Sequence, residues 1–313
     1  MTRAFVFPGQ GSQAVGMGRE LAEAFPAARE LFQEVDDALS QKLSALMFEG
    51  PEADLTLTEN AQPALMAVSL AVVRVLEAEG KISLAGNAAF VAGHSLGEYS
   101  ALAAAGTFSV ADTARLLKIR GQAMQKAVPV GVGAMAALLG AELDQAREIA
   151  AAAAEGEVCE AANDNGGAQV VVSGHKTAVE RAMKLAAERG IKRAILLPVS
   201  APFHCALMQP AADAMEEALS RVTMNAPALP LVANVTASKV TDPAEIRALL
   251  VRQVTGTVRW RESVLYMKSE GVDSLVELGS GKVLGGLAKR IDKEVSGSSI
   301  GLPADIDAFL KSL

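Results

Sequence analysis

Ala88-Ala89-Phe90-Val91-Ala92, running into Gly93-His94-Ser95-Leu96-Gly97, is the stretch that decides the fold. The first five residues read as a buried strand, and a helical pattern continues from the second glycine to about Ala105. A strand that turns abruptly into a helix crowds the positions two before and two after the turn residue. Glycine at both relieves the crowding and leaves the Ser95 hydroxyl exposed at the tip. The next N–H, on Leu96, lies at a helix N-terminus and can face a developing oxyanion. The plain alternative is an ordinary turn with a serine cap. The strand before and the helix after favour a nucleophile.

On the N-terminal side of this turn the chain opens with a short strand, Ala4–Phe7, and a Gly/Gln loop, Pro8–Gly18. Helical periodicity dominates from Arg19 to about Glu79, with Pro63 expected near a helix start, where its missing N–H costs nothing. On the C-terminal side Ser109 caps a helix to about Lys126. Then come strand-like Gly133–Leu139, helical Asp144–Ala154, strand-like Val158–Ala162 and Gln169–Ser173, helical Thr177–Arg189 and strand-like Lys192–Leu197. That order is the ferredoxin-like split unit. Beyond it, Leu231–Asn234 and Ser274–Leu278 read as strands, and Ala211–Val222, Pro243–Val254, Trp260–Glu270 and Val283–Asp292 as helices. Strands alternating with helices imply a mainly parallel sheet. The expected architecture is α/β: a discontinuous large domain, 1–129 and 199–313, with a small ferredoxin-like domain, 130–198, inserted.

With 313 residues, 50% hydrophobic, the chain has ample core and is not a disordered tail protein. Its net charge of −7 disfavours non-specific nucleic-acid binding. Cys159 and Cys205 have no zinc spacing and make no disulfide framework, so a reducing, cytoplasmic compartment is expected. The N-terminal apolar run is too short for a signal peptide. No stretch approaches the ~20 apolar residues of a membrane helix, Ala64–Val73 coming nearest, so no membrane association is expected. Asn234-Val235-Thr236 is a glycosylation sequon, read as chance. Nothing demands a dimer, and a monomer is expected.

A serine nucleophile needs a base, and the chain has three histidines. His94 adjoins Ser95, so its ring should point away from the hydroxyl. His175 looks like a surface turn. His204, in Ser200-Ala201-Pro202-Phe203-His204-Cys205, lies where the chain returns to the large domain, a natural place for a cleft residue. Elimination selects His204. No Asp or Glu is singled out as its orienter. Arg120, among apolar neighbours and beside Gly121, reads alone as a solvated or salt-bridged arginine, though its planar two-pronged donor would suit a carboxylate. Gly9-Gln10-Gly11-Ser12-Gln13-Ala14 fits a dinucleotide fingerprint, but the second strand ending in an acid does not follow. Gly279-Ser280-Gly281-Lys282-Val283 lacks the first glycine and the Ser or Thr of a phosphate loop, and reads as a turn opening a helix.

Phe7-Pro8-Gly9-Gln10-Gly11-Ser12-Gln13, Gly93-His94-Ser95-Leu96-Gly97-Glu98-Tyr99, Arg120, Ala201-Pro202-Phe203-His204, Asn234-Val235-Thr236, Gln253-Val254 and Gly281-Lys282-Val283-Leu284 occur in that order. Together they resemble the malonyl-CoA:acyl carrier protein transacylase family, with the acyltransferase domains of fatty acid and polyketide synthases, over essentially the whole chain. The resemblance implies an α/β-hydrolase-like core with a ferredoxin-like insert. It implies that Ser95 carries the acyl group, that His204 is base and then acid, and that the main-chain carbonyl of Gln253 orients the imidazole in place of an acid. It also implies an oxyanion hole from the N–H groups of Gln10 and Leu96, a malonate clamp at Arg120, and pocket neighbours Gln62 and Met124. His94 and Phe203 match positions associated with choosing malonyl over methylmalonyl. Cys205 stands where serine is common and puts a thiol beside the base. The substrates implied are malonyl-CoA and acyl carrier protein, with no bound cofactor and no metal. Lys118, Lys282, Lys289 and Arg290 are candidates for a basic docking face. A serine esterase or thioesterase on the same turn would differ in using water as acceptor and would normally place an acid on His204. A carrier-binding scaffold with a silent site is the non-enzymatic alternative.

Overall fold

The computed structural model describes residues 2–313. Its first half runs β1 (Arg3–Phe7), α1 (Arg19–Ala24), α2 (Pro26–Leu39), α3 (Leu43–Glu49), α4 (Glu52–Thr56), α5 (Thr58–Gly80), β2 (Phe90–Gly93), α6 (Gly97–Ala104) and α7 (Val110–Ala127). There follow β3 (Gly133–Leu139), α8 (Leu143–Ala154), β4 (Cys159–Asp164), β5 (Gln169–His175), α9 (Lys176–Glu188) and β6 (Arg193–Leu196). The chain closes with α10 (Gln209–Ser220), β7 (Leu231–Val232), β8 (Lys239–Val240), α11 (Pro243–Thr255), α12 (Trp260–Ser269), β9 (Ser274–Leu278), α13 (Val283–Ile291), β10 (Ser296–Ile300) and α14 (Pro303–Lys311).

One sheet has the order β10-β9-β1-β2-β7-β8. All its pairings are parallel except β7 with β8. The central strands are continuous apolar runs, because helices cover both faces. Phe7 pairs with Gly93, so β1 and β2 end side by side and release the Gln10 loop and the Ser95 turn at the same sheet edge. Loops at the carboxyl ends of parallel strands are where such sheets build sites.

The second sheet is antiparallel, order β4-β5-β3-β6. Ala136 and Leu138 of β3 pack with Ile149 of α8 and Val179 of α9, whereas Met135 and Ala137 face the main core. The two-residue period of the strand thus joins one hydrophobic layer to each side. At the end of β4, the Asp164 N–H donates to the Val258 carbonyl, and Arg261 pairs with Asp164 at 2.9 Å, tying this sheet to the chain entering α12.

Several expectations are corrected. Pro63 is an interior residue of α5, the sixth of the helix, rather than part of its first turn. It is buried, and it costs the helix one backbone hydrogen bond. Among the described residues, α5 is long and apolar enough to cross a membrane, but it is a buried core helix packed by α2, α6 and α7. His175 ends β5 instead of forming a surface turn, and its Nδ1 accepts the Val158 N–H at 2.9 Å. The last strand and helix, β10 and α14, and the short β8 carry no expectation from the sequence. Ser296-Gly297-Ser298-Ser299 lacks apolar alternation because β10 is an edge strand, and a Cβ on Gly297 would lie 2.0 Å from the Gly285 carbonyl oxygen.

Candidate active site

Ser95 is a non-glycine residue with φ of 54°, the left-handed conformation of a sharp strand-to-helix turn. A Cβ on Gly93 would meet the Gly97 carbonyl at 2.0 Å, and one on Gly97 would meet the Phe7 carbonyl oxygen at 2.2 Å. Both glycines are therefore dictated by backbone contact. Asn234 ties the turn down: its Oδ1 accepts the Ser95 N–H at 2.8 Å and its Nδ2 donates to the Gly93 carbonyl at 2.7 Å. The Gly97 N–H donates to the His94 carbonyl, while the Leu96 N–H meets no acceptor among the described residues. Gly97→Ala is expected to destabilise the fold by about 3 kcal/mol, because the clash is with the backbone of a central strand. Urea unfolding would check this, and an unchanged midpoint would refute it.

The Ser95 Oγ lies 2.8 Å from the His204 Nε2, and the His204 Nδ1 lies 2.9 Å from the Gln253 carbonyl oxygen. A carbonyl can only accept, so Nδ1 carries the proton and the Nε2 of the neutral ring accepts from the serine. Burial, then the Arg120 charge, pull the His204 pKa down to about 3, so the ring rests neutral. His204 itself has φ of 59°. Both members of the pair thus occupy a backbone region that non-glycine residues seldom adopt.

Arg120 is not the solvated arginine its neighbours suggest. It is buried, and it donates to Gln62 Oε1 at 2.8 Å, Ser95 Oγ at 3.0 Å and Gln253 Oε1 at 2.8 Å. Gly121 explains how it reaches there: a Cβ would lie 2.5 Å from Glu59 Cα, so α7 crosses the first turn of α5 in contact. Gln62 donates in turn to Met124 Sδ at 3.6 Å, which fixes its carbonyl toward the guanidinium. The Arg120 guanidinium also lies over the Tyr99 ring, 5.7 Å from its centroid.

The remaining expected residues divide. Gln10 and His94 line a cleft of about 450 Å³ with Asn165, Gln169, Lys282 and Arg290, between the Ser95 edge of the main sheet and the β4–β5 turn. The Gln10 side chain donates to Thr58 Oγ1 at 3.1 Å. The His94 ring points away from Ser95, its Nε2 2.9 Å from Asn165 Oδ1. Phe203 is buried in the main core directly before His204. Cys205 does not offer its thiol to the base: its Sγ donates to the Pro202 carbonyl at 3.2 Å, and burial pushes its pKa up to about 11. Lys118 is not a free surface cation, being paired with Glu59 at 2.9 Å. Lys282, Lys289 and Arg290 are exposed. Among the described residues no three His, Cys, Asp or Glu side chains gather as a metal ion would require.

Two residues escaped sequence reasoning as site components. Asn234 is fully buried, so its sequon is unavailable to a glycosyltransferase in the fold. Glu98 is also buried, and its Oε2 accepts from Gln253 Nε2 at 2.6 Å and from the Asn234 N–H at 3.4 Å. The available signal was a carboxylate three residues past the nucleophile in an otherwise apolar helix.

A serine, an imidazole and a buried arginine converging at a sharp turn have close counterparts. Residues 4–287 match the acyl transferase domain family. The malonyl CoA-acyl carrier protein transacylase of Escherichia coli strain K12 is 47% identical over 98% of each chain. The acyl-carrier-protein S-malonyltransferase of Bartonella henselae superposes with a TM-score of 0.97 at 58% identity, covering 100% of this chain and 99% of that one. A malonyl-transacylase solved in complex with its type II PKS acyl-carrier protein superposes with a TM-score of 0.96 at 41% identity, covering 100% of both chains. On the match across nearly its whole length, the chain belongs to the acyl transferase domain family, with the malonyl-CoA:acyl carrier protein transacylases.

Proposed function

We propose that this protein moves a malonyl group from CoA to the phosphopantetheine thiol of acyl carrier protein through a malonyl-Ser95 intermediate. The observation that carries this reading is the single network joining Ser95 Oγ to His204 Nε2 at 2.8 Å and to Arg120 at 3.0 Å. His204 takes the serine proton as Oγ attacks the thioester carbonyl. The oxyanion falls to the N–H groups of Leu96 and Gln10, each such donor being worth ~3 kcal/mol. The C–S bond breaks, and CoA leaves as the thiol with the proton from His204. The carrier thiol then attacks the acyl-serine, its proton passing to His204, and Ser95 is released with that proton. Thioester and oxygen ester are close in energy, so the exchange requires neither metal nor redox cofactor.

In this reading Arg120 holds the malonyl carboxylate, Gln62 and Met124 set the clamp, and His94 and Phe203 border the acyl group. Residues 1–129 and 199–313 form the hydrolase-like catalytic domain, and 130–198 the ferredoxin-like one. The relative solved with its carrier protein supports a carrier as second substrate. The exposed Lys282 and Arg290 on the cleft, with the exposed Lys289 next to Arg290 in the last turn of α13, offer an acidic carrier its basic face. An esterase reading is disfavoured because His204 Nδ1 meets the Gln253 carbonyl rather than a carboxylate.

Brief exposure to malonyl-CoA, followed by intact-mass analysis and peptide mapping, tests the proposal. One malonyl group is expected on the Ser95 peptide, persisting in water and removed by holo carrier protein. An adduct elsewhere, none, or equally fast loss without carrier would overturn it.

A further inference from the structure

Among the described residues Arg120 is a buried guanidinium with no carboxylate in salt-bridge contact, its bonded partners being neutral oxygens. A fixed charge in such a place is costly unless an opposite charge balances it. The nearest candidate is Glu98, itself buried, one residue removed from contact. Gln253 stands between them with its carboxamide aligned: Nε2 donates to Glu98 Oε2 at 2.6 Å and Oε1 accepts from Arg120 Nη2 at 2.8 Å. The amide dipole therefore points its positive end at the carboxylate and its negative end at the guanidinium. The same Gln253 carries the carbonyl that holds His204, and its Nε2 lies 2.9 Å from the Ser95 carbonyl oxygen.

We propose that Glu98 is the buried counter-ion of Arg120 in the acyl-free site, coupled to it through the Gln253 carboxamide, and that the malonyl carboxylate takes over that role, so that malonyl binding draws a proton from solvent onto Glu98. This rests on Arg120 being the malonyl clamp. A second anion brought to Arg120 leaves three buried charges, one positive and two negative, and protonating Glu98 restores the balance. The charged or titratable groups facing Glu98 are Arg120 on α7 and Tyr99 on its own helix. Gln253 of α11 and Asn234 after β7 are neutral. Burial, the largest influence, already pushes the Glu98 pKa up to about 7 against the lowering effects of Gln253, Asn234 and Arg120, so its proton is exchangeable near neutral pH. Glu98 is thus a positioning and charge-balancing residue and touches no reacting atom.

The test uses Ser95→Ala protein, which binds without acylation. Calorimetric titration at pH 7.5 in two buffers of different ionisation enthalpy reads the protons taken up. Malonyl-CoA is expected to draw in a substantial fraction of one proton, and acetyl-CoA none. Affinity for malonyl-CoA should accordingly weaken above pH 7, approaching tenfold per pH unit, since a complex that binds a proton loses affinity as protons become scarce. Adding Glu98→Gln, which keeps an acceptor for Gln253 but no charge, should abolish both the uptake and the slope. Malonyl-CoA binding to Ser95→Ala without proton uptake overturns the inference, as does equal uptake with acetyl-CoA or persistence in the double variant. The first two comparisons need no variant at Glu98. Failure of Ser95→Ala to distinguish malonyl- from acetyl-CoA in affinity would instead overturn the clamp reading beneath it.

Discussion

Substituting asparagine for His204 is expected to slow acyl transfer by about four orders of magnitude while the protein stays folded. Asparagine is the informative replacement because residue 204 has φ of 59°, a conformation that asparagine tolerates better than alanine. It can still reach the Gln253 carbonyl but cannot accept the Ser95 proton. Single-turnover acylation by malonyl-CoA would measure the loss, and a deficit below tenfold would remove His204 from the chemistry. Two pH effects accompany it. With the His204 pKa near 3, wild-type acylation should not fall through imidazole protonation between pH 8 and 5. Stability should respond in the opposite place. The folded pKa lies below the ordinary 6.5, so below that pH the unfolded chain binds a proton that the folded one refuses. The native state is penalised as pH falls from 6.5 toward 3, and His204→Asn should relieve that penalty in acid unfolding curves.

How much of this was legible in the sequence follows from the range of each interaction. The Ser95 turn was readable because the two glycines form a five-residue pattern: Gly93 answers a local clash with Gly97, although Gly97 answers one with Phe7, 90 residues back. The β3–β6 unit was readable because strand and helix periods alternate cleanly there. β10 was not, since an edge strand of serines and glycine carries no hydrophobic period. Arg120 looked solvated because its partners, Gln62 and Gln253, lie 58 and 133 residues away. Glu98 and Asn234 stayed silent for the same reason, with Glu98 meeting Gln253 across 155 residues. Burial of a polar group is decided by tertiary packing, and a single sequence displays the group without its partner. Elimination could single out His204 because there were only two other histidines. It could not have identified a backbone carbonyl as orienter, since every residue has one.

The second large effect concerns acyl choice. Arg120→Ala is expected to reduce malonyl transfer by a factor of tens to thousands, while acetyl transfer survives or rises. Truncating one partner of a buried charge pair costs roughly 2–5 kcal/mol, which sets that range. The asymmetry arises because Arg120 acts twice. With malonate bound, the guanidinium has a carboxylate partner. With an acetyl group, no carboxylate touches the guanidinium and only Glu98, beyond the Gln253 carboxamide, balances it, so the poorly matched buried charge opposes binding. Removing the side chain deletes the first gain and the second penalty together. It also removes the donor 3.0 Å from Ser95 Oγ, but the imidazole contact at 2.8 Å stays, so the nucleophile keeps its base. Gln62 and Gln253 lose their shared partner, and water entering the vacated space can satisfy both carbonyls. kcat/KM for malonyl-CoA and acetyl-CoA, measured in parallel on the wild type and on Arg120→Ala, decides the matter. Equal loss for both would mean that Arg120 serves the serine alone and that selectivity lies with other residues.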